Sequence, residues 1–439
     1  MKATRIITTV FIALASLAAN AQEGAWNGEL NIMGTKLPLV FNFSGDGCTM
    51  DSPSQGAKGI PAEKTIKDDG TIKVSVAMIG ATFEGKMENG EIKGTYTQNG
   101  FPIPLTLKPG KLVVKRPQTP VAPFPYKEEN ISFTNAGYTF NGTLTLPQNY
   151  SKQTPVVLMV TGSGQQNRDE ELFDHKPFAV IADALARQGI ASLRYDDRGW
   201  NDKNIDFYQF TTNDFLQDAT SALPLLRKRF NKVGILGHSE GGTIAMMLAA
   251  EGKADFIVSL AGMAISGKET LVMQNRQAMS AINLPKDMVD SYFATISNIL
   301  DEIANGKKTS EITIDGVPDN LKPILKRSLE QADLSYIRHF ITIDAGKQLS
   351  KIKCPVLALN GTKDTQVDCV ANTTILETGL SNCKHTIKKI DGVNHLFQHC
   401  STGSVVEYQQ IEETIAPEVL ETITKWINDQ QRTINKAQE

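Results

Sequence analysis

The chain has 439 residues, 41% of them hydrophobic and 21% charged, with a formal net charge of -3. That balance is globular rather than disordered, and at roughly 150 residues per domain the length allows two or three domains. No basic run interleaved with aromatics occurs, which excludes a nucleic-acid surface and leaves no nucleic acid among the expected partners.

The N-terminus has the three parts of a secretory signal peptide. Lys2 and Arg5 make a positive start, Ile6 to Leu17 is an apolar stretch too short to span a bilayer comfortably, and Ala19-Asn20-Ala21 supplies a small-x-small cleavage signature. Residues 1–21 are expected to be removed, leaving a mature chain that starts at Gln22 and is exported, periplasmic or secreted. No Cys follows the cleavage point to carry a lipid. No later segment reaches the roughly 18 apolar residues of a span, so no stable membrane insertion is expected after cleavage. Five cysteines, Cys48, Cys354, Cys369, Cys383 and Cys400, permit disulfides in an exported chain, and the odd count leaves at least one thiol unpaired within a monomer. Cys369 with Cys383, or Cys383 with Cys400, would close a local loop, and the spacing does not choose between them. No CxxC pair supports a zinc or redox site.

Residues 22–110 read as a small antiparallel β domain. Ile72, Val74, Val76 and Met78 alternate with Lys73, Ser75 and Ala77, the period of a strand with one buried face. Asp69-Gly70, Asn89-Gly90 and Asn99-Gly100 are turn signals between strand-like runs, as in a β meander, and Phe83-Glu84-Gly85 and Ile92-Lys93-Gly94 form a faint repeat. No catalytic cluster is visible there. From Pro117 to Pro125 four prolines fall in nine residues, which marks 111–126 as a stiff linker.

From 127 to 430 strands alternate with helices, the signature of a mostly parallel sheet covered by helices on both faces. Pro155 to Val160, Ile190 to Arg194, Lys232 to Leu236, Phe256 to Leu260, Pro355 to Leu359 and Lys384 to Ile390 are the expected strands. Phe178 to Arg187, Thr211 to Phe230, Thr243 to Glu251 and Pro417 to Gln430 are the expected helices. Residues 265–350 interrupt this rhythm with helical pattern alone and read as an inserted cap. Met288, Tyr292, Ile296 and Ile299 have helical spacing there, and that face is expected to roof the site.

The sharpest signal is Gly237-His238-Ser239-Glu240-Gly241-Gly242, set between an apolar strand and a helix. This is G-x-S-x-G in the strand-turn-helix context that a nucleophilic serine requires: a turn too tight for side chains two positions away, with the hydroxyl beside a helix N-terminus. Ser239 is the expected nucleophile. Of six histidines, His395 stands in a loop directly after the last strand and is the expected general base, with His399 the runner-up. His395 and His399 together lack a third ligand at a zincin spacing, so no metal and no cofactor is expected. Asp364, just past the strand Pro355 to Leu359, is the expected orienting acid, with Asp368 and Asp391 as alternatives. The order Ser239, Asp364, His395 is one of three known for such triads. The expected oxyanion hole combines the backbone N–H groups of Glu240, after the nucleophile, and Ser163, in Thr161-Gly162-Ser163-Gly164, with Gly164 next in line. Together these residues point to acyl transfer through a covalent serine intermediate.

With these motifs the chain resembles the bacterial carboxylesterases of the α/β-hydrolase superfamily that carry an extra N-terminal domain. The likeness rests on Gly162 to Asp169, Arg194 to Gly199, the Ser239 turn, Leu359 to Asp364 and Gly392 to Phe397, and covers about two-thirds of the chain, residues 127 to 430. It implies an α/β-hydrolase fold, a triad of Ser239, Asp364 and His395, no cofactor, and a small-molecule ester with a short acyl chain as substrate. Arg168-Asp169 and Asp196-Asp197-Arg198 carry no evident chemistry and are expected to pair as buttresses. Two rivals stay open: a serine peptidase of the same fold, and an inert hydrolase domain whose β domain binds envelope or carbohydrate. The sequence does not reveal the oligomeric state.

Overall fold

In a computed structural model the described residues are 23–438, apart from 33–34, 46, 56, 112–113, 201, 203, 280–284, 315–316 and 318–321. The expected signal peptide, 1–21, lies outside them. Among the described residues no helix is long and apolar enough to cross a membrane.

The chain forms two compact units. The first consists of Met1–Lys115 with Val405–Glu412. It contains eight consecutive antiparallel strands: β1 (Gly24–Ile32), β2 (Thr35–Ser44), β3 (Gly47–Ser52), β4 (Ala57–Ile66), β5 (Ile72–Val76), β6 (Ala81–Glu88), β7 (Glu91–Gln98) and β8 (Phe101–Pro109). Each pairs with the next, and β1 pairs with β8, closing a barrel. Closure removes the open sheet edges that an isolated meander would expose. The interior is filled by Trp26, Phe41, Phe83, Ile92, Leu107 and their neighbours. Asn89, Gly90, Asn99 and Gly100 all have positive φ, so the β6–β7 and β7–β8 connections are two-residue hairpin turns that asparagine and glycine favour. The alternation expected through Met78 stops at Val76: Ala77–Ile79 is a 3₁₀ turn, and Met78 is 74% exposed.

The second unit, Arg116–Ser404 with Glu413–Glu439, is built on one eight-stranded sheet. Its strands are β9 (Lys127–Asn135), β10 (Tyr138–Leu146), β11 (Val156–Val160), β12 (Ala191–Tyr195), β13 (Val233–His238), β14 (Ile257–Leu260), β15 (Val356–Gly361) and β16 (His385–Ile390), in the order β16-β15-β14-β13-β11-β12-β10-β9. β9 and β10 form an antiparallel hairpin, β10 runs antiparallel to β12, and the rest are parallel. α1 (Pro177–Arg187) and α9 (Pro417–Gln438) contribute to one apolar layer; α2 (Thr212–Arg227), α3 (Glu240–Ala250) and α8 (Cys369–Gly379) contribute to the other. Every residue of β11, β12, β13, β14 and β15 is buried, as continuous apolar strands covered on both faces must be. This is the α/β-hydrolase fold.

Two boundaries differ from the sequence expectation. The proline-rich stretch belongs to the second unit from Arg116 onward: Arg116 Nη2 donates to Phe173 O at 2.8 Å, and Gln118 Nε2 to Ile415 O at 2.7 Å. Val405–Glu412, expected within the sheet domain, groups instead with the barrel, where Gln410 Nε2 donates to Lys36 O at 2.9 Å.

The insertion between β14 and β15 forms α4 (Gly267–Met279), α5 (Lys286–Ala304), α6 (Lys322–Ala332) and α7 (Ser335–Thr342). The α5 stripe does not face the site. Tyr292, Ile296 and Ile299 are buried against Val317, Leu325 and Ile341, as the cap's own core.

Charged loop residues brace the first half of the sheet. Arg168 grips Asp196 through Nε at 3.0 Å and Nη2 at 2.5 Å, and Arg194 pairs with both Asp169 and Glu128. Arg198 is buried, donates twice to Asp218 on α2 at 2.7 Å, and lies over the rings of Tyr138 and Phe210. Removing one partner of such a pair leaves the other charge buried and uncompensated. Arg198→Ala should therefore lower unfolding free energy by about 3 to 5 kcal/mol, read as an earlier denaturant midpoint at unchanged slope.

Candidate active site

The site is built around a turn that glycine makes possible. β13 ends at His238 and α3 begins at Glu240, so the helix starts directly after Ser239 and earlier than Thr243. Ser239 has φ 52° and ψ -119°, a region that side-chain-bearing residues rarely occupy. Its N–H donates to Leu260 O at 2.8 Å, anchoring the turn to β14. A Cβ at Gly237 would lie 1.9 Å from Gly241 O, and one at Gly241 would lie 2.1 Å from Val160 O. Neither contact is possible for real atoms, and in each case the obstacle is backbone. Gly241→Ala should destabilise the protein by about 3 kcal/mol or more, measured as a lower midpoint or loss of folded protein, because the main chain has to move.

Ser239, His395 and Ser163 line one cavity of about 320 Å³. His395 follows β16 and is buried; its Nδ1 lies 2.7 Å from Asp364 Oδ2. Asp364 Oδ2 also accepts from Asn360 Nδ2 at 3.0 Å, and Oδ1 accepts from the N–H groups of Gln366 and Val367 at 2.8 and 2.9 Å. A carboxylate with four such partners is fixed in orientation, as the orienting member of a triad must be. The alternatives are used elsewhere. Asp368 caps α8 through Ala371 N, and Asp391 accepts from Thr362 Oγ1. His399 is exposed between Glu413 and Glu418, while His175 is buried between Thr414 and Gln398.

The loop after β11 passes against Ser239: a Cβ at Gly162 would lie 3.2 Å from Ser239 Cβ. Asp197 shapes this loop by accepting from Thr161 Oγ1 at 2.9 Å and Gln166 N at 2.6 Å. The backbone N–H groups of Ser163 and Glu240, and the N-terminus of α3, are available to a developing oxyanion: neither amide meets an acceptor among the described residues.

Several side-chain contacts around the site were not foreseen by sequence reasoning. The Glu240 carboxyl is buried and accepts from Thr212 Oγ1 at 2.5 Å and from Tyr336 Oη on α7 at 2.6 Å. Burial pushes this carboxyl above the ordinary range, against the hydrogen bonds of Thr212, Tyr336 and Ser163 that favour its charge. Burial, then the charge of Glu240, push the Tyr336 phenol well above its usual value. One residue thus offers its amide to the site and its side chain to the cap. A charged residue inside the nucleophile motif was the available signal, but its partner lies 96 positions away. The other pair is Glu170 and His238, buried and 3.0 Å apart.

The cavity roof comes from α4 and α7: Leu271, Gln274, Tyr336, Ile337 and Phe340 face it, with Met263 and Leu396 below. Among the described residues its wall contains no lysine or arginine.

Known proteins match this part of the chain. A family described as serine aminopeptidase, S33 (Hydrolase_4), matches residues 175–308. The chain is 27% identical over 304 residues to Esterase EstD of Thermotoga maritima, covering 67% of this chain and 68% of that protein. Among solved structures it is similar to Est1E from Butyrivibrio proteoclasticus, at 17% identity and a TM-score of 0.41, covering 69% of this chain and 98% of that one. It is also similar to proline iminopeptidase from Mycobacterium smegmatis, at 12% identity and a TM-score of 0.44, covering 70% of this chain and 100% of that one. The family match spans Ser239 and its turn, and the relative matched over two-thirds of the chain is an esterase.

Proposed function

We propose that the protein is an exported carboxylesterase that cleaves short-acyl esters through an acyl-enzyme on Ser239. The observation that carries the mechanism is the 2.7 Å contact between His395 and Asp364 at the cavity that Ser239 also lines. Ser239 Oγ attacks the ester carbonyl while His395 Nε2 takes its proton, and the N–H groups of Ser163 and Glu240 hold the oxyanion. The proton passes from His395 to the leaving alkoxide, giving a free alcohol and an acyl-serine. Water, deprotonated by His395, then attacks that ester and releases the acid. Asp364 holds the imidazole in the tautomer that leaves Nε2 free to accept. Export rests on the residues before Gln22.

A fluorophosphonate should label Ser239, identified by peptide mapping. Ser239→Ala and His395→Ala should each reduce kcat by roughly 10⁴ to 10⁶, and the double variant should be scarcely worse, since triad members act as a unit. Asp364→Asn should lower kcat by up to about 10⁴, whereas His399→Ala should cost little. Label on another residue, or a folded Ser239→Ala enzyme with a tenth of normal activity, would remove Ser239 from the role.

The acyl group should be short, because Met263, Leu271, Ile337 and Phe340 line a cavity of only about 320 Å³. kcat/KM on p-nitrophenyl esters should peak between acetyl and butyryl and fall steeply beyond about eight carbons, as methylenes meet the wall. A flat profile out to palmitoyl would contradict this. The family description favours a second reading, a serine aminopeptidase. Such an enzyme needs a carboxylate free to bind the substrate's ammonium group. The carboxylate in the cavity wall, Glu170, is already committed through Oε1 to Gly162 N at 2.7 Å and to His238, which leaves only its buried Oε2 without a partner. Amino-acid p-nitroanilides turned over faster than p-nitrophenyl acetate would reverse the preference.

A further inference from the structure

The residue preceding the nucleophile has a geometry that the proposed mechanism leaves unused. His238 Nδ1 lies 3.0 Å from Glu170 Oε1, and its Nε2 lies 2.9 Å from the backbone oxygen of His395. A carbonyl oxygen only accepts, so Nε2 carries a proton. Glu170 Oε1, which also accepts from Gly162 N at 2.7 Å, calls for a second proton on Nδ1. Only the doubly protonated imidazolium donates to both. We propose that Glu170 and His238 are a second acid–histidine pair, a positioning device in which the His238 imidazolium clamps the backbone of His395 and, through Glu170, the loop that carries the Ser163 amide.

The clamp joins three loops. Glu170 comes from the segment after β11, His238 from the end of β13, and His395 from the loop after β16. Glu170 and His238 are 4% and 7% exposed, so water is a poor substitute for either partner. The charged or titratable groups around the His238 ring are Glu170, the His395 ring at 4.8 Å between centroids, and Asp364. Burial is the largest influence and works against the charge on His238, but Glu170, the His395 carbonyl and Asp364 together outweigh it and raise the group above its ordinary value. The sign follows. The clamp is complete below the raised value and fails as pH climbs through it, because neutral His238 must abandon either Glu170 or the His395 carbonyl. Without Glu170, burial is opposed only by the His395 carbonyl and Asp364, and the failure comes at lower pH.

The inference rests on the proposed triad, so labelling and kinetics are run together. The pH dependence of kcat and KM on p-nitrophenyl acetate is measured for the wild type, Glu170→Gln and His238→Asn. Glu170→Gln should move the alkaline fall in kcat to lower pH by about one unit or more, with KM within about twofold. His238→Asn should lose roughly 10- to 100-fold in kcat with that limb gone. A merely structural role would lower activity evenly and leave the limb in place. If His238→Asn does not fold, Glu170→Gln decides, since it exchanges a carboxylate oxygen for an amide nitrogen. A Glu170→Gln profile that superimposes on the wild type, with Ser239 still labelled by fluorophosphonate, overturns the clamp and leaves the esterase reading standing. Failure of the label to reach Ser239 overturns both.

Discussion

Ser239 occupies a backbone conformation, φ 52° and ψ -119°, that costs free energy and persists only where the surroundings compel it. The compulsion is steric and bonded at once. Gly237 and Gly241 let strand, turn and helix approach to distances that no Cβ would survive, and the Ser239 N–H is tied to Leu260 O. Because α3 begins at the next residue, the hydroxyl stands at a helix N-terminus with Glu240 N–H beside it. Gly162 is held against Ser239 Cβ by the same closeness. The position of the Ser239 hydroxyl, of the Glu240 amide and of the α3 N-terminus thus follows from one turn.

Around that turn, loops from the strand ends are held mainly by carboxylates that are themselves surrounded by donors. Asp364 contacts His395 Nδ1 while accepting from its own loop's amides, Asp197 gathers the loop after β11, and Glu170 joins Gly162 to His238. Buried carboxylates demand hydrogen bonds, and backbone N–H groups supply them at fixed geometry, so each acid converts a flexible loop into a shaped one. Glu240 extends the principle to the insertion, since its carboxyl takes a hydrogen bond from Tyr336 on α7. A cap connected in this way is registered to the residue that follows Ser239 rather than resting there by apolar contact alone.

The insertion also shows what an amphipathic stripe states and leaves out. The spacing of Tyr292, Ile296 and Ile299 marks a buried helix face, and that face is buried, but within the cap, against α4, α6 and α7. The roof of the cavity is provided instead by α4 and α7. Burial is a property of one helix's surface. The partner that buries it depends on where neighbouring helices cross, and those crossings are set by side-chain packing between segments distant in sequence.

Much of this protein is local and therefore legible in its sequence. Continuous apolar runs marked the parallel strands, because a strand covered on both faces has no polar side to show. Asn-Gly pairs marked hairpins, because their backbones tolerate positive φ. The strand-turn-helix context singled out Ser239, and loop positions after strand ends singled out Asp364 and His395. What the sequence could not state were contacts between loops far apart along the chain. Closure of the barrel depends on β1 meeting β8, more than 80 residues later, with no local mark of it. Val405–Glu412 groups with the barrel although more than 280 residues separate it from Lys115. His238 shows the division most clearly. Its place beside Ser239 is a matter of sequence, but its two partners, 68 and 157 residues away, were brought to its two nitrogens only by the packing of the sheet.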